Sequence, residues 1–347
     1  MTRFRCIKTS LAIVMLASLW GCGGGGGSTT AETSCSAYSS TGTTSTSNTD
    51  TGTTAGVFCS YATKIQISSY SVLKAGTCAI VTWSCSSTTR SVSANGLPDY
   101  TLSRTVNSVS VTDSASNIAF PNVYNPNTIV AQSVSKSMTL TPTQTSAVTA
   151  SNSGTQKLGV ALNGIVFDPS TAGTCNNSGT ICELGGGNYA WNIEALGQSS
   201  FKFGTDDSNA HVQPQGTYHY HGNPVQLVTK LNPTKSTTGM TLIGWAIDGF
   251  PIYSPYGYTD PLDTTSAIKE IVSSYQLQTS PDANRPSTTT YPLGAFTQDY
   301  EYVAGSGDLD ACNGRTGKTP EFPNGTYHYY ATNTFPHLQR CVYGKLN

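Results

Sequence analysis

Charge is scarce in this 347-residue sequence: Lys and Arg number 18 and Asp and Glu 19, together 11% of the chain, for a net charge of −1. No stretch concentrates Lys or Arg, which excludes the basic footprint of a nucleic-acid-binding surface. Extended apolar runs are short. The segment "LAIVMLASLW" (11–20) has ten residues, too few to span a bilayer as a helix. Nucleophile and phosphate-cradle signatures are missing as well: there is no G-x-S-x-G elbow, no H-E-x-x-H and no P-loop. Histidine is rare. Its five copies are His211, His219, His221, His328 and His337, so none precedes residue 211.

What is present at the N-terminus points to export. Arg3, Arg5 and Lys8 precede the ten-residue apolar segment, the layout of a signal peptide. "SLWGC" (18–22) then resembles a bacterial lipobox, with Leu19 three positions before the cysteine and Trp20 where a small residue is usual. On this reading residues 1–22 are the signal peptide and lipobox, and Cys22 is lipidated. The mature chain is then held at the membrane of the bacterial cell envelope, outer membrane or cell surface, by its acyl chains. Ordinary secretion is the alternative. Residues 23–57 are Gly, Ser and Thr with almost no apolar side chains, a flexible tether.

The cysteines agree with an oxidising compartment. Ten less Cys6 and Cys22 leaves eight, an even number suited to a disulfide set. Proximity in sequence suggests Cys35–Cys59, Cys78–Cys85, Cys175–Cys182 and Cys312–Cys341, although eight cysteines allow 105 pairings. If all eight are bonded, none is a nucleophile or a soft metal ligand.

Ser, Thr, Gly, Asn, Val and Tyr dominate the remainder, favouring strands and turns. Residues 58–155 carry short runs of period two, such as "KIQISSY" and "CAIVTWSC", and read as a smaller β-rich region. They form either a separate unit or extra strands packed on the C-terminal half. Residues 156–347 hold every histidine and most of the Tyr, Pro and Gly-rich turns. The expected fold is mainly β: a disulfide-stabilised β-sandwich-like domain with one or two short helices. "TTSAIKEIVSSYQLQ" (264–278), with Ile268, Ile271, Val272 and Tyr275 at helical spacing, is the best helix, and "NYAWNIEALG" (188–197) a second candidate.

The chemistry-bearing phrase is "GTYHYHG" (216–222), echoed as "GTYHYY" (325–330). In a strand, residues two apart share a face. His219 and His221 therefore point one way, while Tyr218 and Tyr220 point to the core. His328 should project as His219 does. If the two strands neighbour each other, His219, His221 and His328 form a three-imidazole metal site with an open position, suited to copper or zinc. His211, eight residues before His219, is the candidate fourth ligand or a partner that orients a ligating imidazole. His337 ranks last. The competing reading is a set of histidines that only satisfy core hydrogen bonds.

"GTYHYHGNP" (216–224), "LIGWAIDGFPIYSPYGY" (242–258) and "DLDACNGRTGKTPEFPNGTYHYYATNTFPHLQRC" (308–341) together resemble the YHYH domain family of secreted and surface bacterial proteins, over roughly 160–345. The resemblance implies characteristic positions at Tyr218, His219, Tyr220 and His221, at Asp248, Gly249, Pro251 and Tyr253, at Asp310, Cys312, Asn313, Gly314 and Arg315, and at Tyr327 and Cys341. Ala311 stands where the family commonly has an acidic residue. No settled reaction comes with the resemblance.

Several of these residues have a physical reading of their own. Asp248 would orient a ligating imidazole, or else close its own Asp-Gly turn. Asp308, Asp310 and Asn313 offer oxygens, but their spacing misses the calcium-loop pattern by one residue, which disfavours calcium. Arg315 is expected to pair with Asp310, Asp248 or Glu321. The Pro- and Gly-rich 248–258 segment, with Phe250, Tyr253, Tyr256 and Tyr258, reads as a rigid aromatic wall. Three functions compete: a metal-binding surface lipoprotein for acquisition, storage or delivery; a metal-dependent hydrolase or oxidoreductase at the same site, with Asp248 or Glu321 as base; and a structural or adhesive module without metal. The partner is accordingly a metal ion or small molecule.

Overall fold

Alternating apolar residues build the first sheet, as the period-two runs require. The computed structural model describes residues 60–66, 78–100, 102–106, 109–112, 120–150, 157–169 and 173–346. The signal segment, Cys22, the tether and the expected Cys35–Cys59 bond lie outside them. Strands β1 (Ser60–Gln66), β2 (Cys78–Cys85), β3 (Thr89–Ala94) and β4 (Val134–Thr139) pair in that order, all antiparallel. Along β2 the residues Ala79, Val81 and Trp83 are buried while Ile80 and Thr82 are exposed, the alternation of a sheet with one covered face.

A second sheet of eight strands carries the histidines. Its strands are β5 (Gly159–Ala161), β6 (Val166–Phe167), β7 (Ala210–Val212), β8 (Tyr218–Tyr220), β9 (Leu242–Ala246), β10 (Pro251–Tyr253), β11 (Gly314–Gly317) and β12 (Thr326–Tyr330). In space the order is β7-β8-β6-β5-β9-β10-β12-β11. The β6/β8 and β10/β12 pairs are parallel and the others antiparallel. These short strands are buried almost throughout, as a sheet covered on both faces must be.

The two sheets share a core. Val81, Trp83, Val92 and Met138 of the first cluster with Val160, Trp245, Tyr253 and Tyr330 of the second. Trp83 Nε1 donates to the Leu162 carbonyl at 3.0 Å, and the buried Arg90 guanidinium lies 3.4 Å over the Trp245 ring. On the other face, Tyr218, Tyr220, Phe250, Tyr327 and Tyr329 join Phe120 and Leu227. The fold is mainly β, two sheets facing across apolar side chains, and the N-terminal strands pack on the histidine-bearing sheet.

The helices differ from expectation. Among the described residues the single α-helix is α1 (Val225–Leu231). The 264–278 segment is extended: Ile268–Glu270 pairs with Tyr256–Tyr258 and Tyr275–Leu277 with Tyr300–Tyr302. Of its apolar stripe only Ile271 is buried and Val272 is exposed. Only Ile271 and the half-buried Ile268 reach the core, too few for a helical face, and neighbouring strands pair the backbone of Ile268–Glu270 and Tyr275–Leu277. The 188–197 candidate likewise contains strand Trp191–Ile193, paired with Gly173–Cys175.

Cys175–Cys182 and Cys312–Cys341 are bonded as the sequence suggested. Cys78 and Cys85 are both in disulfides, but not with each other. They end one strand of eight residues, which sets them about 23 Å apart at 3.3 Å per residue, far beyond disulfide reach.

Candidate metal centre

A tight reversal between β7 and β8 makes the site. Gly216 takes φ +84°, a conformation costly for residues with a Cβ, and its N–H donates to Gln213 O at 2.8 Å. The reversal sets His211 opposite His219 in the antiparallel register, so both side chains leave one face. His221 follows two residues later on that face. Its N–H, bonded to Asn209 O at 2.8 Å, ties it to the loop leading into β7. Tyr218 and Tyr220 enter the core on the opposite face.

Three imidazoles converge there. His219 Nε2 lies 2.9 Å from His221 Nε2, which lies 3.0 Å from His211 Nε2. All three rings are buried, and they are the group of His, Cys, Asp or Glu able to hold a metal among the described residues. The Thr217 carbonyl, 3.1 Å from His219 Nδ1, can only accept, so the ring proton sits on Nδ1 and Nε2 presents a lone pair. Without an ion, the His219 Nε2 lone pair would need an N–H on His221 Nε2. Nitrogens around a tetrahedral ion with bonds of about 2.0–2.1 Å stand roughly 3.3 Å apart, a few tenths of an ångström wider than the His219–His221 and His221–His211 separations.

Electrostatics favour the ligand form. Burial, reinforced by His219, pushes His211 down to about 3, with the Phe203 carbonyl acting the other way. Burial and then Lys157 push His219 down to about 3. Burial followed by the other two imidazoles holds His221 well below the ordinary range. All three are neutral at pH 7, the state that binds transition metals.

One side is accessible. The three histidines form part of the wall of a cleft of about 610 Å³ that also meets Asp168, Phe203, Gln213 and the 185–187 glycines. Asp168, buried in that wall, accepts from Gln213 Nε2 at 3.2 Å and faces Lys157 Nζ at 3.8 Å. Behind the three imidazoles, Asp206 accepts from Ser208 N–H at 2.9 Å, Ala210 N–H at 3.1 Å and Tyr218 O–H at 2.5 Å. Its carboxylate therefore holds the loop that presents His211. Tyr100, from the N-terminal region, bonds both Tyr218 and Tyr220 hydroxyls at 2.9 and 2.8 Å.

His328 is not part of this cluster. It lies on β12, five strand steps from β8, about 24 Å along the sheet. Its Nε2 meets Tyr330 Oη at 3.0 Å and its Nδ1 the Thr326 carbonyl at 3.0 Å. The echo strands are not neighbours, because each pairs in parallel with its own hairpin, β8 with β6 and β12 with β10. His211, expected beside a His219–His221–His328 set, is the third imidazole of the cluster instead of His328. His337 is buried elsewhere, against Gly197.

The remaining expected residues are structural partners. Asp248 orients no imidazole: it accepts from Tyr329 O–H at 2.6 Å, Gly344 N–H at 2.8 Å and Phe250 N–H at 3.2 Å. Tyr253 donates to Thr319 and Glu321 at 2.8 and 2.7 Å, and its ring packs edge-on to His328. Asp310 accepts from Cys312 N–H, Gly314 N–H and Tyr327 O–H at 2.9, 3.0 and 2.9 Å, so its oxygens are committed to the turn. Asn313 takes φ +60° and bonds Tyr330 O and Thr332. Arg315 reaches the Tyr258 carbonyl and Tyr330 Oη at 2.8 and 3.1 Å and is in none of the ion pairs of the described residues. Asp168, Asp206 and Tyr100 were missed in the sequence. For Asp206 a signal exists: "DDSNAH" (206–211) parallels "DACNGR" (310–315).

No curated protein and no solved structure matches the chain. The family model described as "YHYH protein" matches residues 135–344, more than half of the sequence, starting earlier than the boundary at 156 that composition suggested and taking in most of β4. The phrase at its centre, Tyr218-His219-Tyr220-His221, is the strand that supplies two of the three imidazoles. The chain belongs to the YHYH protein family.

Proposed function

We propose that this protein binds a transition metal ion, copper or zinc, through His211, His219 and His221, as an exported protein anchored to the cell envelope by a lipidated Cys22. The observation that carries the reading is the meeting of three buried, neutral imidazole nitrogens with the His219 proton committed to the Thr217 carbonyl. Imidazole sets of this kind suit copper and zinc. With Cys175, Cys182, Cys312 and Cys341 in disulfides, these four offer no thiolate. The test is equilibrium titration of metal-free protein with Zn(II) and Cu(II), counting ions retained after gel filtration. One equivalent is expected for the natural chain and for His328→Ala, and none for His211→Ala. Equal retention in the two variants would refute the assignment.

The cleft supports catalysis as a second reading. Asp168, in the wall shared with the imidazoles, would be the carboxylate available to hold a proton of a bound ligand, in place of the Asp248 or Glu321 suggested by sequence. The open side of the triad would admit that ligand. On this reading Asp168→Asn abolishes turnover of a small-molecule substrate while leaving the metal equivalent in place.

A further inference from the structure

The two halves of the large sheet repeat one another. Strands β5, β6, β7 and β8 stand in the order β7-β8-β6-β5, and β9, β10, β11 and β12 in the mirrored order β9-β10-β12-β11. At the join β5 and β9 run antiparallel, with Val160 opposite Trp245. Bonds exchange across that point: Leu162 N–H donates to Ile243 O at 2.8 Å and Ile247 N–H to Leu158 O at 3.0 Å. The β5–β6 and β9–β10 hairpins turn on Gly164 (φ +83°) and Gly249 (φ +94°), each with its N–H on an alanine carbonyl, Ala161 or Ala246. Phe167 pairs with Tyr220 as Ile252 pairs with Tyr329.

The correspondence extends to the polar atoms. Asp206 and Asp310 each accept two backbone N–H groups and one tyrosine hydroxyl, from Tyr218 and Tyr327. Asn209 and Asn313 follow at φ 56° and 60°, and their carbonyls accept from His221 and Tyr330. His219 Nδ1 faces Thr217 O as His328 Nδ1 faces Thr326 O. By this register His211 corresponds to Arg315, His219 to His328, and His221 to Tyr330. Even the contacts match. His219 meets His221 at 2.9 Å and His328 meets Tyr330 at 3.0 Å; His221 meets His211 at 3.0 Å and Tyr330 meets Arg315 at 3.1 Å.

We infer that the sheet is an internal duplication and that its second half holds a silenced copy of the metal centre, in which the Arg315 guanidinium supplies the positive charge that a metal supplies in the first. This inference rests on the metal reading of the first half. Chemistry explains the exchange. Arginine stays protonated and cannot ligate, and its charge is satisfied by the Tyr330 hydroxyl and the Tyr258 carbonyl. Tyr253 stands at the position of Asp168, filling with a ring the place where the first half has its cleft carboxylate. The second half therefore keeps the scaffold of the site and has lost two ligands.

The test restores them. Arg315→His with Tyr330→His, made in the full chain and loaded with Zn(II), is expected to retain two equivalents where the natural chain retains one. On a His219→Ala background the same pair is expected to retain one where His219→Ala alone retains none. A folded double variant that holds one equivalent overturns the inference. Zero equivalents in the natural chain overturns the metal reading instead. Should the pair fail to fold with or without Zn(II), the mirror variant decides: His211→Arg with His221→Tyr is expected to bind no metal yet to melt no lower than the metal-free natural chain. Melting more than about 2 °C lower, the scale on which one lost hydrogen-bonded contact shifts a chain this size, overturns the inference.

Discussion

Asp206 offers the sharpest energetic prediction, because its role as an anchor and its titration can be separated. Burial pushes this carboxyl up to about 7, against the pull of the Tyr218 hydroxyl and the Ser208 and Ala210 N–H groups. A folded-state value above the unfolded one means that the folded protein holds the proton longer. The contribution is fully present below the unfolded value of about 3.8 and is lost as pH rises through about 7. Between pH 5 and pH 8 the loss is roughly 2–3 kcal/mol at about 1.36 kcal/mol per unit. Asp206→Asn removes the titration but keeps an oxygen for the two N–H groups and an amide for the Tyr218 hydroxyl. Urea unfolding of metal-free protein with disulfides intact is the assay. Relative to Asp206→Asn, the natural chain should lose those 2–3 kcal/mol, on the scale above, as pH is raised from 5 to 8. Asp206→Ala strands two buried N–H donors at about 1–3 kcal/mol each and should cost roughly 3–5 kcal/mol in total. A pH-independent difference between the natural chain and the Asn variant would refute the placement of this carboxyl in a dry pocket. An Ala variant as stable as the natural chain would refute its role as anchor.

Burial holds His328 down at about 3, so its stabilising effect is present above about 6.5, the ordinary histidine value, and is lost as pH falls toward 3. In acid titration of the melting transition, the natural chain should lose about 3 kcal/mol more than His328→Gln between pH 7 and pH 4.5; parallel curves would contradict this. Removing the Cys312–Cys341 bond by Ser substitution frees a 29-residue separation and should cost roughly 3–4 kcal/mol in denaturant, while the metal equivalent counted by elemental analysis stays unchanged. Tyr100→Phe removes the hydroxyl bridging Tyr218 and Tyr220 and should cost about 1–3 kcal/mol, read by thermal unfolding, with a stability equal to the natural chain as the contrary outcome.

The histidine strand was legible because a period of two is a local property: "GTYHYHG" specifies one face for His219 and His221 and the other for Tyr218 and Tyr220 without reference to anything distant. The mainly β class followed from the same pattern and from turn chemistry. The third histidine of the cluster was not legible by the same means. Sequence similarity drew "GTYHYY" into the site, yet similarity here reports a repeated environment, with each copy paired to its own hairpin. Contact between β8 and β12 would have needed a strand order that no local pattern encodes. His211 was within reach, since it lies across a tight turn from His219, and the parallel of "DDSNAH" with "DACNGR" would have aligned it with Arg315 instead of leaving it as an accessory. The failed helix over 264–278 has a related cause: helical spacing of apolar residues matters only where a core lies beneath them, and there the backbone is claimed by flanking strands.

X-ray absorption at the metal edge of copper- or zinc-loaded protein reads a cation held by His211, His219 and His221 from its own coordination shell. Three imidazole nitrogens at about 2.0–2.1 Å are expected, a pattern lost in His219→Ala and unchanged in His328→Ala. A coordination shell without histidine scattering, or one that survives His219→Ala intact, would contradict it.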